Sequence, residues 1–556
     1  MPKTFGIKIA GPQGSGIQSA GETLYRAAVK AGFYALGYLE YNSLIKGGHS
    51  SYLLTLSDTP NPNISPTVDL FIPLTKSSYD RELPSTTKDT HFIVDSSFKI
   101  EDKKERFHES SLIDIAKNQG NPLILNTIAL GFLSHQLKFP KDLIINLVLE
   151  DLSGKSQTLL DQNKKGYEEA LRVSSKYFLG LWLPNPNNAT DKLVVTGSQA
   201  IGDGAIAAGL NFFAGYPMTP SSPVLHYLSA KQEKNNFLVK QTEDEISAIN
   251  MAIGASYAGA KSMTGTSGGG FALMQEGISL AGMVETPLVI YLAMRPGPAT
   301  GLPTWTSQAD LLFAVHSGHG EFSKIVLAPG DPIECFLLTH RAFQLSQSFH
   351  IPVIVISDKY LAENHYCLEK FPELNKVPLS INLPGSPETY QRYNYSPTGV
   401  SQRTIPGILG GEYIANSDEH TPDGLVDESS ENRKLMNQRR QNKHTLIEKN
   451  IPLPEIIYNS DTALVTWGST KFIGREIANS LSISHIHFSY IYPFPSGLTP
   501  ALSKFTKIFV LENNLTGQFA KLLRSEIDIK ITKIYGEDDG RPLNPKYFIN
   551  QIKNEL

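Results

Sequence analysis

The chain has 556 residues, enough for roughly three or four domains with separate cores. Its formal net charge of −4 offers no basic field for nucleic acid or an anionic membrane surface, and its 40% apolar fraction is that of an ordinary soluble protein. No apolar run approaches membrane-spanning length, the start Met1 to Ile7 lacks a signal-peptide core, and the two cysteines, Cys335 and Cys367, are too few for an iron–sulfur cluster, so a cytoplasmic protein with packing cysteines is expected.

Phe5 to Ala10 reads as a buried strand running into Gly11-Pro12-Gln13-Gly14-Ser15-Gly16 and then a helix over Ile17 to Ala31. A strand, a glycine-rich turn and a helix start offer backbone N–H groups to a phosphate, which makes Gly14 and Gly16 candidate cofactor contacts. The spacing is GxxGxG, with no acidic residue closing a second strand in the nicotinamide manner. Leu44-Ile45-Lys46-Gly47-Gly48-His49-Ser50 follows, then a strand over Ser51 to Leu56; His49 alone reads as structural. Strand patterns at Asp69 to Pro73, His91 to Asp95 and Pro122 to Asn126 alternate with helical patterns over Ile128 to Leu137 and Pro140 to Leu149. This is an α/β pattern with a mainly parallel sheet. Gly166 to Leu181 leads out, and Pro184-Asn185-Pro186-Asn187-Asn188 reads as a linker.

A second α/β domain is expected to open at Lys192 to Gly197. Gly202-Asp203-Gly204, with Asn235-Asn236 about thirty residues on, has the outline of a magnesium–diphosphate motif, but that chemistry needs Asp and Asn at the ends of buried strands. Asn235 follows a polar helix end, so the match is accidental and no metal site is expected on this chain. Four signatures then come in order: Tyr216-Pro217-Met218-Thr219-Pro220-Ser221-Ser222, Gln241-Thr242-Glu243-Asp244-Glu245, Gly265-Thr266-Ser267-Gly268-Gly269-Gly270, and Arg295-Pro296-Gly297-Pro298-Ala299-Thr300-Gly301-Leu302-Pro303-Thr304. The two close prolines forbid regular helix and make a rigid turn that aims Thr219. Ile246, Ile249, Ile253 and Tyr257 follow Glu245 at helical spacing and predict one apolar face. Arg295 ends a strand pattern at Leu288 to Met294, at the edge where α/β sheets place ligands.

Further on, a helix is expected over Pro332 to Phe349 and a strand over Pro352 to Ser357. Residues 372–454 are polar and rich in Pro and Asn, with a charged, exposed helix over Asn432 to Lys449. Glu419-His420 lacks further ligands and is declined as a metal site. A last α/β domain begins at Asp461 to Gly468, with a helix over Lys471 to Leu481, a strand over Lys507 to Glu512 and turn chemistry at Asn513 and Asn514.

Together the four signatures resemble the alpha subunit of the 2-oxoacid:ferredoxin (flavodoxin) oxidoreductases, most closely the 2-oxoglutarate type with a fused gamma domain. The resemblance extends over nearly the whole chain and implies an α/β fold of three open, mostly parallel α/β domains. The three are a gamma domain at 1–185, a thiamine-diphosphate pyrimidine-binding domain at 191–370 and a transketolase C-terminal-like domain at 459–556, with a connecting segment at 371–458 between the last two. Enzymes that use thiamine diphosphate carry a Glu with a Gly nine residues on, as Glu245 and Gly254 stand here. The resemblance thus makes Glu245 the acid that hydrogen-bonds the aminopyrimidine. Thr219 and Arg295 become substrate-binding and catalytic, and Tyr216, Pro217, Thr266 and Ser267 become cofactor contacts. It departs from the family at Lys46, where an Arg is usual, and at Gly268-Gly269-Gly270, where Gly-Pro-Gly is usual and a looser loop is expected. It implies coenzyme A as co-substrate. It also implies a beta subunit holding the diphosphate half, magnesium and a 4Fe-4S cluster, an (αβ)₂ assembly, and ferredoxin or flavodoxin as acceptor. Lys46, His49, Trp305 and Thr306 are candidates for a second substrate carboxylate. Two other readings stand beside this one: a self-sufficient thiamine-dependent decarboxylase or transferase, and a non-catalytic assembly subunit.

Overall fold

A computed structural model describes residues 3–44, 48–100, 106–186, 192–382 and 390–556. Lys46 and Gly47, and Asn187 and Asn188 of the expected linker, lie outside the described residues. The chain divides into two compact units, Met1–Thr196 with Glu363–Lys370, and Gly197–Ala362 with Phe371–Leu556. Among the described residues no helix is long and apolar enough to cross a membrane.

The first unit is built on an eight-stranded sheet. Phe107–Ser110, Thr86–Asp95, Val68–Pro73 and Thr4–Pro12 run parallel. His49–Ser57, Tyr34–Tyr41, His365–Leu368 and Leu193–Thr196 continue it antiparallel. Its helices bury a core that includes Leu24, Tyr25, Ile128 and Phe132. Three local expectations change here. Pro122 to Asn126 is no strand: Pro122–Ile124 is a 3-10 turn capped by the Asn121 side chain, and it feeds the helix Leu125–Gln136. Pro at the first helical position favours that outcome, since its missing N–H is unbonded there in any case. The segment from Gly166 continues an 18-residue helix, Gln157–Ser174, with Asn163, Gly166, Tyr167 and Ala170 inward. Leu193–Thr196, expected to open the second domain, instead pairs with His365–Leu368 in the first sheet, and the helix Gly197–Ala208 follows directly.

The second unit carries two sheets. The larger runs Tyr490–Tyr492, Ile325–Leu327, Pro352–Asp358, Leu288–Met294, Ser262–Thr266, Phe212–Gly215, Leu238–Gln241, parallel throughout except for Tyr490–Tyr492. Its inner strands Leu288–Met294 and Pro352–Asp358 are buried along their whole length, as expected of strands covered on both faces. The smaller sheet runs Glu455–Ile457, Ser484–Phe488, Thr462–Trp467, Lys507–Leu511, Lys533–Tyr535, with only Glu455–Ile457 antiparallel. The fold is α/β with three open sheets, and its departure from parallel order is concentrated in one half of the first.

Candidate active site

Four neighbouring parallel strands of the larger sheet release the four signatures at one edge. Phe212–Gly215 ends into Tyr216, Leu238–Gln241 into Thr242, Ser262–Thr266 into Ser267 and Leu288–Met294 into Arg295. The register places Gly215 opposite both Gly265 and Gln241, so the exits are level. This carboxyl edge is where open α/β sheets bind ligands.

Glu245 opens the helix Glu245–Tyr257, and Asp244 is its N-cap, accepting from Ser247 N at 2.7 Å. The cap fixes the helix azimuth and thereby Glu245. The buried face is Glu245, Ala248, Ile249, Ala252, Ile253 and Ser256. Ile246, expected on that face, is 50% exposed, because the small Ala248 and Ala252, not Ile246, allow close packing against the neighbouring elements. The Glu245 side chain is 3% exposed, and its Oε1 is buried without a hydrogen-bond partner. Burial raises its carboxyl pKa, with the adjacent Asp244 charge acting in the same sense and its own backbone N–H and the Thr266 hydroxyl opposing. A Cβ placed on Gly270 would lie 2.3 Å from Glu245 Oε1 and 2.1 Å from Thr266 Oγ1. The orphaned oxygen in this cradle fits a group that offers a hydrogen bond to a protonatable carboxyl, as an aminopyrimidine does.

Around it, Thr266 and Ser267 are fully buried, and Ser267 Oγ has no partner. Tyr216 is 40% exposed and Pro217 half-buried. Arg295 donates from Nη1 to the Thr219 carbonyl at 2.5 Å, which brings the two expected substrate residues together. Desolvation lowers the Arg295 pKa and the nearby Asp310 charge opposes it. The Gly268-Gly269-Gly270 run, expected to be a looser loop, is the first turn of the helix Gly268–Leu273.

Two residues of the site, Gln308 and Asp310, are not singled out in the sequence, whereas Asn513 and Asn514 read there as turn residues. Gln308 ties the loop after Arg295 to the smaller sheet: its backbone N–H donates to Asn513 O at 2.6 Å, its Oε1 accepts from Asn513 N at 2.9 Å, and its Nε2 donates to Trp467 O at 2.9 Å. Asn514 caps as a turn residue, its Oδ1 accepting from Gly517 N at 2.9 Å, and also donates to Gln308 O at 3.2 Å. Asp310 presents a second buried carboxyl oxygen without a partner. No local pattern marks Gln308, since its partners Trp467 and Asn513 lie 159 and 205 residues away. An Asp directly before an apolar run was the available signal for Asp310.

The remaining candidates have other company. Trp305 lies beneath the Arg541 guanidinium at 3.4 Å, and Thr306 is buried with its hydroxyl accepting from Tyr360 N at 3.2 Å. In the first unit His49 Nε2 pairs with Glu82 Oε1 at 2.6 Å, and Lys8 joins them. Burial opposes ionisation of Glu82, but the His49 hydrogen bond and the Lys8 charge hold its carboxyl at about 2. Gly14 and Gly16 have φ of 85° and 79°, the left-handed region that glycine tolerates. The helix Ile17–Lys30 that they precede has no acidic residue in its first turn and no side-chain cap, which leaves its N–H groups for an anion. Asp203 lies inside the helix Gly197–Ala208, its carboxylate accepting from Tyr227 Oη at 2.7 Å, and Asn236 is a left-handed helix C-cap. Cys367 packs with Sγ 3.2 Å from Ala35 N, and Cys335 is buried.

A family profile described as pyruvate flavodoxin/ferredoxin oxidoreductase, thiamine diP-bdg, matches residues 203–437. A second, described as pyruvate ferredoxin/flavodoxin oxidoreductase, matches residues 6–173. The subunit alpha of 2-oxoacid:ferredoxin oxidoreductase 2 from Aeropyrum pernix is 31% identical, over 96% of this chain and 95% of that one. The chain belongs to the 2-oxoacid:ferredoxin oxidoreductase alpha-subunit family. Within that oxidoreductase family, the subunit KorA of the 2-oxoglutarate oxidoreductase from Mycobacterium tuberculosis is 35% identical over 62% of this chain and 54% of its own length. The 2-oxoglutarate:ferredoxin oxidoreductase from Magnetococcus marinus, solved with 2-oxoglutarate, coenzyme A and succinyl-CoA bound, superposes with a TM-score of 0.92 at 29% identity over 100% of both chains. The alpha-subunit family accounts for the thiamine-diphosphate-binding domain on which the four signatures lie.

Proposed function

We propose that this chain supplies the pyrimidine half of a thiamine diphosphate site in an enzyme that oxidatively decarboxylates 2-oxoglutarate to its acyl-coenzyme A. A beta subunit carries the diphosphate half, magnesium and a 4Fe-4S cluster in an (αβ)₂ assembly, and electrons leave to ferredoxin or flavodoxin. The observation that carries the reading is Glu245: a carboxyl oxygen that is buried, unbonded and cradled by Gly270, at the start of a helix whose cap fixes it. The choice of 2-oxoglutarate draws on the KorA relative and on the Magnetococcus marinus enzyme.

When bound, thiamine diphosphate supplies the carbon nucleophile and the electron sink for decarboxylation. Glu245 would hold or yield a proton toward the aminopyrimidine, and burial, which raises its carboxyl pKa, favours the protonated form. Thr266 and Ser267 line the pyrimidine side, with Tyr216 and Pro217 at its rim. Arg295 pairs with the carboxylate of the 2-oxo acid, held in aim by its bond to the Thr219 carbonyl, and Thr219 offers its hydroxyl to the same end of the substrate. Gly14 and Gly16 expose backbone N–H groups to a phosphate of coenzyme A. The self-sufficient reading finds no support in Asp203, whose carboxylate is committed to Tyr227.

The test is hydrogen–deuterium exchange at the thiazolium carbon in the enzyme assembled with its partner. Glu245→Gln is expected to slow exchange by about a hundred- to ten-thousand-fold with assembly intact. Glu243→Gln, at an exposed neighbour, is expected to leave it unchanged. A wild-type rate in Glu245→Gln with a slow Glu243→Gln would reassign the cofactor acid to Glu243. Comparing turnover on pyruvate, 2-oxobutyrate and 2-oxoglutarate tests the substrate, and a preference for pyruvate would overturn that choice.

A further inference from the structure

At the amino edge of the larger sheet, opposite the four signatures, the connecting segment lays two arginines against the turns that precede the strands. Arg392 and Arg403 are each 1% exposed. Arg392 donates from Nη2 to the Glu285 carbonyl at 2.7 Å, and Arg403 from Nη2 to the Ser256 carbonyl. The two anchors adjoin: Ser256 Oγ donates at 2.5 Å to Pro287 O, two residues after Glu285. The stretches that carry the arginines are tied together as well. Thr404 N donates to Tyr390 Oη at 3.1 Å, and that hydroxyl donates to Gln402 O at 3.3 Å. What remains of each guanidinium is buried and unbonded, namely Nε and Nη1 of Arg392 and Nη1 of Arg403. Buried donors are satisfied in nearly all native structures, and where protein atoms do not satisfy them an ordered water or an ion does.

Charge decides between those two. Glu285 is the carboxylate of this cluster, and Arg439 and Lys443 already hold it, Lys443 Nζ at 3.1 Å. Arg392 Nη1 stands 3.5 Å from the same carboxylate. The groups acting on the Arg403 charge are Arg392 and the hydroxyls of Tyr413 and Tyr390, with no acid among them. Lys443 can shed its proton near 8, but a guanidinium cannot. With Lys443 neutral, three guanidiniums still stand against one carboxylate. The other titratable neighbours add no negative charge: burial pushes the Tyr393 and Tyr413 hydroxyls up and the His350 imidazole down, so all three are neutral near pH 7. The faces of Tyr393 and Tyr413, 5.2 and 5.9 Å from the Arg392 guanidinium, attract its charge without cancelling it. A water would satisfy the donors and leave the excess charge buried, which is costly, whereas an anion answers both. A single-atom anion accepts donors from any direction. A phosphate or carboxylate would bring further oxygens to satisfy, and the tyrosine faces offer them no donor.

We propose that Arg392 and Arg403 hold a small monovalent anion of the halide class, chloride in the cell, which fastens the connecting segment to the sheet on the side away from catalysis.

The assembled enzyme tests this in two ways. Crystals in which bromide replaces chloride are expected to show an anomalous peak in contact with Arg392 Nε and Arg403 Nη1. The melting temperature in about 200 mM chloride is expected to lie about 1–3 °C above that in gluconate of the same ionic strength. Arg403→Met, which keeps the apolar stem and removes the charge, is expected to lose both the peak and the chloride shift. Should that variant fail to fold, the wild-type crystal and melts decide alone. A water at the site with no anomalous signal overturns the proposal, and so does a chloride shift retained in full in Arg403→Met. A bromide peak without any chloride shift in melting marks an adventitious ion only and overturns it as well.

Discussion

The carboxyl groups of Asp310 and Glu245 lie against the bare α-carbons of Gly268 and Gly270, and nothing lies against that of Gly269. A Cβ at position 268 would meet Asp310 and one at 270 would meet Glu245 and Thr266, whereas one at 269 meets no atom within 4 Å. The glycines at the two ends are thus demanded by acids, and the middle position is open. The physical constraint is the approach of side chains from elsewhere in the fold, not loop flexibility, so the sequence shows three glycines but not which two matter. Gly270→Ala is expected to displace the Glu245 carboxyl, costing about 1–3 kcal/mol of stability as an overpacked site and most of the turnover. Gly269→Ala is expected to stay within about 0.5 kcal/mol of wild type and to keep its activity. Urea unfolding and steady-state assays of the two variants decide it, and equal damage at both positions would show that the turn, not the acids, sets the requirement.

The helix Ser430–Asn450 shows how an element can be placed in the sequence while its role is misread. Its charge predicts an exposed helix, yet Asn432, Met436, Arg439, Lys443 and Ile447 face inward at spacings of three and four. Periodicity weighs apolar residues, and this stripe has only two of them. The stripe is buried because Arg439 and Lys443 converge on Glu285, where Arg392 also arrives; Lys443 Nζ stands 3.1 Å from Glu285 Oε2 and Arg392 Nη1 3.5 Å from it. Burial opposes the Glu285 charge, but Arg439 and Lys443 hold its carboxyl well below the ordinary range. One carboxylate thus offsets three buried cations. Glu285→Gln is expected to cost about 3–5 kcal/mol, because it leaves those cations without a counter-charge. Lys443 works in the opposite sense. Burial lowers its ammonium from 10.5 to about 8, so between those values the unfolded chain binds more protons than the folded one and stability rises with pH. Lys443→Met is expected to lessen that rise, leaving the share of Lys324, whose ammonium burial also lowers to about 8. Melting temperatures across this range check the sign, and an undiminished slope in Lys443→Met would show that Lys443 does not contribute to it.

At the scale of the molecule, alternation of strands and helices was legible because each buried strand is a short apolar run between turn signals, and the order of the four signatures was legible because each directly follows such a strand. What joins them was not. Leu193–Thr196 and His365–Leu368 pair across about 170 residues to extend the first sheet, and Gln308 meets Asn513 and Asn514 across about two hundred, with no local signal in either case. The outward face of the Glu245–Tyr257 helix carries Ile246, 50% exposed, and Met251, 43% exposed, and a Cβ on Gly254 would meet nothing within 4 Å. Exposed apolar side chains beside a small residue at helical spacing make a surface on which a partner's backbone can pack closely. This is the helix that starts with Glu245, so a beta subunit seated on it would cover the element that holds the buried Oε1. The double variant Ile246→Asp, Gly254→Arg alters no buried contact of this chain and is expected to leave its circular dichroism and melting temperature unchanged. It is expected to weaken association with the partner subunit by at least about tenfold, about 1.4 kcal/mol. Co-purification and analytical ultracentrifugation of co-expressed subunits measure the loss. An undiminished complex would place the partner on another face and leave the closure of the Glu245 site to a different element.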